Sequence, residues 1–100
     1  MELNIPSVNI NSPINEQMLS GDIIISGSVS DDSDILDVFI SLINSDGYLK
    51  SEKHLGNKKN WSLSLDTTKY PNGEYTIEVY AVDEYGNRSY KEGISVDIVN

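Results

Sequence analysis

Residues 72–87 read Asn72-Gly73-Glu74-Tyr75-Thr76-Ile77-Glu78-Val79-Tyr80-Ala81-Val82-Asp83-Glu84-Tyr85-Gly86-Asn87. The stretch is a turn, a tyrosine, an alternating strand and a polar turn containing glycine. Tyr75, Ile77, Val79 and Ala81 recur at period two, the spacing that puts side chains on one face of a strand, so one face of this strand is buried. Tyr75 follows Gly73 by two residues at the strand's mouth. There its hydroxyl is placed to bond back to nearby backbone and pin the strand to the turn before it.

Working outward, the same alternation recurs and no segment carries a helical period, so the class is all-β. Leu3 to Ile10 is a first strand, and Pro6 within it confines it to an edge or to a strand that switches sheets. Ile23, Ile25, Gly27 and Val29 mark the inner face of a second strand, and Val38, Ile40 and Leu42 that of a third. Asp46-Gly47 turns the chain into a weak fourth strand around Tyr48 to Lys53. Trp61, Leu63 and Leu65 mark a fifth strand, Tyr75 to Val82 is the sixth, and Ile94, Val96 and Ile98 line the last. Turn signals recur about every 8 to 12 residues, and this spacing predicts an immunoglobulin-like β-sandwich. About seven antiparallel strands would form its two sheets, with Greek-key connections.

One hundred residues suffice for one domain with one core, so residues 1–100 are read as a single module. The close of the last strand at Ile98-Val99-Asn100 reads as a module excised from a larger multidomain protein. The formal net charge of −9 opposes binding to phosphate backbones and adsorption to anionic lipid. No apolar run approaches the roughly 20 residues of a membrane-spanning helix. Met1-Glu2-Leu3-Asn4 lacks the basic start and apolar stretch of a signal peptide. Cysteine is absent, which removes disulfides, thiolate metal sites and a Cys nucleophile, and leans towards a cytosolic or a bacterial exported protein.

Several segments together resemble bacterial Ig-like domains: Gly27-Ser28-Val29-Ser30-Asp31, Val38-Phe39-Ile40, Trp61, Asn72-Gly73-Glu74-Tyr75 and Ala81-Val82-Asp83-Glu84-Tyr85-Gly86-Asn87. The resemblance covers roughly Gly21 to Val99, and the A-x-D-x-x-G-N ending is its most specific element. It implies a non-catalytic sandwich module in a secreted or surface-attached bacterial protein. Such modules serve as structural spacer, presentation domain, adhesion module or accessory to a hydrolase. Asp31-Asp32-Ser33-Asp34 and Lys58-Lys59 depart from the family's pattern.

Chemistry can sit in few places. The turns after the second and sixth strands lie at the same end of such a sandwich. Asp31, Asp32, Asp34 and Asp37 would then face Asp83, Glu84 and Asn87, oxygen ligands of the kind Ca²⁺ takes. The competing reading has these residues capping their own turns. An EF-hand fails, because Ile43 stands where a bidentate Glu is required.

Phe39, Ile43, Tyr80, Val82 and Val99 have the parity opposite to the core residues, and an outward apolar face of this kind is a candidate interface. It would serve a neighbouring module of the same chain, a second copy, a glycan or a surface protein. Tyr48, Tyr70, Tyr85 and Tyr90 are the aromatics left for sugar stacking. The one histidine, His54, sits in a polar stretch with no triad motif around it, and a domain this small has little room for a substrate cleft, so no enzyme is expected.

Overall fold

In the computed structural model, which describes residues 5–30 and 35–100, the chain folds as two facing β-sheets. The strands are β1 (Ser7–Ser12), β2 (Gln17–Leu19), β3 (Asp22–Ser30), β4 (Ile35–Asn44), β5 (Leu49–His54), β6 (Asn60–Asp66), β7 (Gly73–Asp83) and β8 (Glu92–Ile98). One sheet has the order β1-β3-β6 and the other β2-β8-β7-β4-β5. The connections β3–β4, β5–β6 and β6–β7 each cross between sheets, which is the Greek-key pattern.

The alternation read from the sequence is the alternation observed. Tyr75, Ile77, Val79 and Ala81 of β7 are buried, and so are Ile25 and Val29 of β3, Val38, Ile40 and Leu42 of β4, and Val96 and Ile98 of β8. Trp61 is buried at the start of β6, directly across from Gly27 of β3. An added Cβ at Gly27 would lie 1.9 Å from the Asn9 carbonyl oxygen and 2.3 Å from Trp61 Cζ2. The absent side chain is thus what lets the indole lie against the strand. The corner bond forms as expected, with the Tyr75 hydroxyl donating to the Pro71 carbonyl at 2.6 Å.

The N-terminal segment departs from expectation. Within the described residues the first strand is β1, which starts at Ser7 and runs on to Ser12, beyond the expected end at Ile10. It shifts register between Ile10 and Ser12, and the chain then changes sheets and forms β2, which the sequence reading omitted. Three residues are too few to show a period. β2 also pairs in parallel with β8, the one parallel contact among antiparallel ones in the described residues. The tie is lengthened at both ends: Ser95 N–H donates to Asn15 Oδ1 at 2.9 Å, Glu16 N–H to the Ser95 carbonyl, and Val99 N–H to the Leu19 carbonyl at 2.9 Å.

The two poles of the sandwich differ. At one, Ser7 pairs with Ser30, and Ile35 with Asp83. At the other, Asn100 ties both sheets together. Its Oδ1 accepts from Gly21 N–H at 2.9 Å and from the Thr67 hydroxyl at 3.3 Å, and its Nδ2 donates to the Thr67 carbonyl at 3.1 Å. Its backbone N–H and carbonyl exchange bonds with the Asn72 amide at 3.0 and 3.2 Å.

Candidate functional site

The turn joining β7 to β8 is organised by Asp83. Period two carried past Ala81 puts residue 83 on the inner face, and Asp83 is fully buried. Its Oδ1 accepts from Tyr85 N–H at 3.0 Å and Asn87 N–H at 2.8 Å, while Oδ2 accepts from Asn87 Nδ2 at 3.0 Å. Backbone bonds between Asp83 and Asn87 and between Gly86 and Asp83 close the turn, and Gly86 takes the left-handed φ of 84° that the turn requires. Asp83 and Asn87, two of the expected cation ligands, are therefore brought together as partners in one turn. Asp31, Asp32 and Asp34 lie outside the described residues. Asp37 accepts from Val38 and Gly56 N–H groups, each at 2.9 Å, and Glu84 is exposed. Among the described residues no three His, Asp or Glu side chains gather as a metal-binding group.

A second constellation lies on the outward face of the five-stranded sheet. Phe39 of β4 stands directly across from Tyr80 of β7 and from His54 of β5. The Phe39 and Tyr80 rings stack with centroids 4.7 Å apart and planes 9° from parallel, and His54 meets Phe39 edge-on at 4.3 Å. Arg88 and Lys91 approach the Tyr80 ring at 5.7 and 5.9 Å, a cation–π distance. His54 Nδ1 lies 3.5 Å from Asp37 and Nε2 3.4 Å from Glu52. The result is a row across three strands in which the rings spend their faces on one another. A sugar stacking on an aromatic needs an open ring face, and Tyr80 has neighbours over its ring while Phe39 has one on each side.

The five residues of the expected interface do not form one patch. Phe39, Tyr80 and Val82 cluster near the Asp83 turn. Ile43 is opposite Thr76, separated from them by Ser41 and Glu78, and Val99 lies past the end of β8 at the Asn100 pole. Of the tyrosines, Tyr48, Tyr85 and Tyr90 are exposed, whereas Tyr70 is half-buried and packs edge-on against Tyr75 at 6.3 Å. Sequence reasoning passed over His54 because it carries no motif. The signal was its position: counting back across the Asp46-Gly47 turn sets it beside Phe39.

Two packed sheets with Greek-key crossings and a corner tyrosine define an immunoglobulin-like sandwich module. The chain belongs to the bacterial Ig domain family, whose model matches residues 6–79. No curated protein sequence matches it. Among solved structures it is similar to the fibronectin(III)-like modules of Clostridium thermocellum CbhA, with TM-score 0.71 and 17% identity, over 96% of this chain and 47% of that one. It is also similar to the endo-beta-1,4-mannanase from Thermotoga petrophila, with TM-score 0.71 and 15% identity, over 100% of this chain and 20% of that one. The SrpA adhesin from Streptococcus sanguinis matches with TM-score 0.64 and 14% identity, over 99% and 60%. The chain thus spans less than two thirds of the length of each of these proteins, and only a fifth of the mannanase. At these identities the likeness is one of fold.

Proposed function

We propose that this module is a non-catalytic spacer or presentation domain of a secreted or surface-attached bacterial protein, working by resisting tension along its long axis. The observation that carries the reading is the parallel β2–β8 pair. β1 and β2 run from the Asp83 pole towards the Asn100 pole, and β8 runs the same way beside β2. Tension applied at Ile5 and Asn100 would drag β2 and β8 in opposite directions. The hydrogen bonds from Asn15–Leu19 to Ser95–Val99 would then be loaded together, in shear, and not peeled one at a time. Principal extents of 48 × 23 × 19 Å suit a rod element, and the Asn100 network fixes the direction in which the chain reaches its far pole. Extracellular placement is supported by the family and by the adhesin and mannanase among the similar structures. Single-molecule stretching between the two ends tests the reading. A force peak that falls sharply when Val99→Pro removes the N–H that donates to the Leu19 carbonyl is expected. A module that extends at low force, or whose peak ignores Val99→Pro, would end it.

The second reading is a binding module, either for a surface protein, favoured by the Phe39–Tyr80–Val82 cluster on an outward sheet face, or for a glycan, with Ca²⁺ organising the acidic end through Asp31, Asp32, Asp34, Asp83 and Asn87. Retention on bacterial cell wall and insoluble polysaccharide, compared in Ca²⁺ and in EDTA, discriminates. Binding lost in EDTA assigns it to the acidic end, binding lost only in Tyr80→Ala to the sheet face, and no retention leaves the spacer.

A further inference from the structure

The four edges of the two sheets are unequally guarded. β5 has Lys50, Glu52 and Lys53 within its six residues, and its pairing with β4 shifts register between Leu42 and Ile43. β1 follows Pro6 and shifts register near its end, and β2 is three residues long. Charge, proline, irregularity and shortness are the usual devices that keep an edge strand from pairing with another chain. β6 has none of them before its last residue. Asn60-Trp61-Ser62-Leu63-Ser64-Leu65-Asp66 is neutral up to Asp66, lacks Pro and Gly, and pairs with β3 in unbroken register from Asp22 to Ser28. Its inward Leu63 and Leu65 are only half-buried, and they line a cleft of about 320 Å³ that opens between the β6 and β5 edges.

We propose that the free edge of β6 pairs antiparallel with the same edge of a second copy of this chain, joining two three-stranded sheets into one of six strands. The charges at the ends of β6 choose this occupant. Lys58-Lys59 precede the strand, and Asp66 closes it beside Asp22, its direct neighbour on β3. Like charges directly opposite on adjacent strands repel, and the cation acting on Asp66 is Lys69, one positive charge set against two negative ones. An antiparallel alignment centred on Ser62 brings Lys58, in the bend that leads into β6, to the Asp66 end of the other copy. Two-fold symmetry makes the contact twice. The same alignment sets Trp61 opposite Leu63 on the inner face and keeps every inward residue inward, as an antiparallel pair must. The net charge of −9 on each copy opposes the approach, which makes the dimer a concentration-dependent one. The inference goes beyond the spacer reading, because it joins modules side by side and not end to end.

Sedimentation equilibrium of the 100-residue chain up to about 1 mM tests it. A monomer–dimer equilibrium is expected, with Ser62→Lys weakening it at least about tenfold by placing two like charges at the two-fold axis. Lys58→Asp alone and Asp66→Lys alone should each associate poorly, and an equimolar mixture of the two should recover a heterodimer. Circular dichroism melting of each variant shows that it is folded before it is counted. Amide exchange should slow with protein concentration along β6 alone. A chain that stays monomeric at about 1 mM would overturn the proposal. So would a dimer indifferent to Ser62→Lys, protection that rises on β5 or around Tyr80 instead, or a charge-swapped mixture that fails to associate.

Discussion

Gly27→Ala sets two physical effects against each other with opposite signs. Gly27 lies within β3 with ordinary strand backbone, so alanine is conformationally admissible there. Restricting the unfolded chain would by itself stabilise the variant by about 0.4–1 kcal/mol. Against this, the new methyl would sit 1.9 Å from the Asn9 carbonyl oxygen, 2.3 Å from Trp61 Cζ2 and 2.9 Å from Trp61 Cε2. Ordinary overpacking costs about 1–3 kcal/mol. Neither obstacle here is a flexible chain end, since one is the backbone of β1 and the other a rigid indole that is 2% exposed. The steric cost therefore sits at the top of that range, and the net loss should be at least about 2 kcal/mol. For a domain of this size the melting temperature would fall by about 8–16 °C. Urea unfolding followed by the fluorescence of Trp61, the one tryptophan in the chain, measures it directly. In a Trp61→Phe background the indole obstacle is gone and the carbonyl remains, so Gly27→Ala should cost less there but still destabilise. A variant as stable as the parent, or more stable, would refute the argument that Gly27 exists to admit Trp61.

Tyr75→Phe removes the 2.6 Å bond to Pro71 and should cost about 1 kcal/mol or more in urea unfolding; a neutral result would reduce the corner to packing alone. Asp83→Ala strands two backbone N–H groups and the Asn87 amide, so a loss of about 2–4 kcal/mol is expected, equal in Ca²⁺ and in EDTA. A loss seen only in Ca²⁺ would make Asp83 a metal ligand and not a turn hub. Asp66 is held below its usual value of 3.8, chiefly by the Thr68 hydroxyl and then by the Thr68 N–H. A depressed carboxylate stabilises the fold above its unfolded value and loses that contribution as pH falls through the folded one. The stability difference between the parent and Asp66→Ala should therefore hold steady above about pH 5 and shrink on acidification, and a difference undiminished at about pH 2 would assign it to packing instead.

What the sequence discloses follows from how far each signal reaches. Strands as long as β3, β4 and β7 repeat their period often enough to declare both their existence and their inner face. Tyr75 declares its corner because turn, glycine and tyrosine are adjacent in the chain. β2 spans three residues and owes its existence to β8, nearly 80 positions away, so no local pattern could announce it. Asn100 is the same case: its bonds go to Gly21, Thr67 and Asn72, and its own neighbourhood looks like any polar strand end.

Asp83 is legible in a different way. Its carboxyl invites a reading as a ligand, while its parity with Ala81 places it inside. Parity is the stronger evidence, because a residue that continues the buried face of a strand must satisfy its polar atoms from the fold itself. The turn does that with two backbone N–H groups and one amide, all within four residues of Asp83. The same test separates Asp83 from Asp66, whose carboxylate caps the turn that follows β6 and is only half-buried. An acid on an inner face is thus a structural acceptor until a ligand is seen. An acid at the open end of an unguarded strand, such as Asp66 beside Asp22, is where a partner's cation has something to gain.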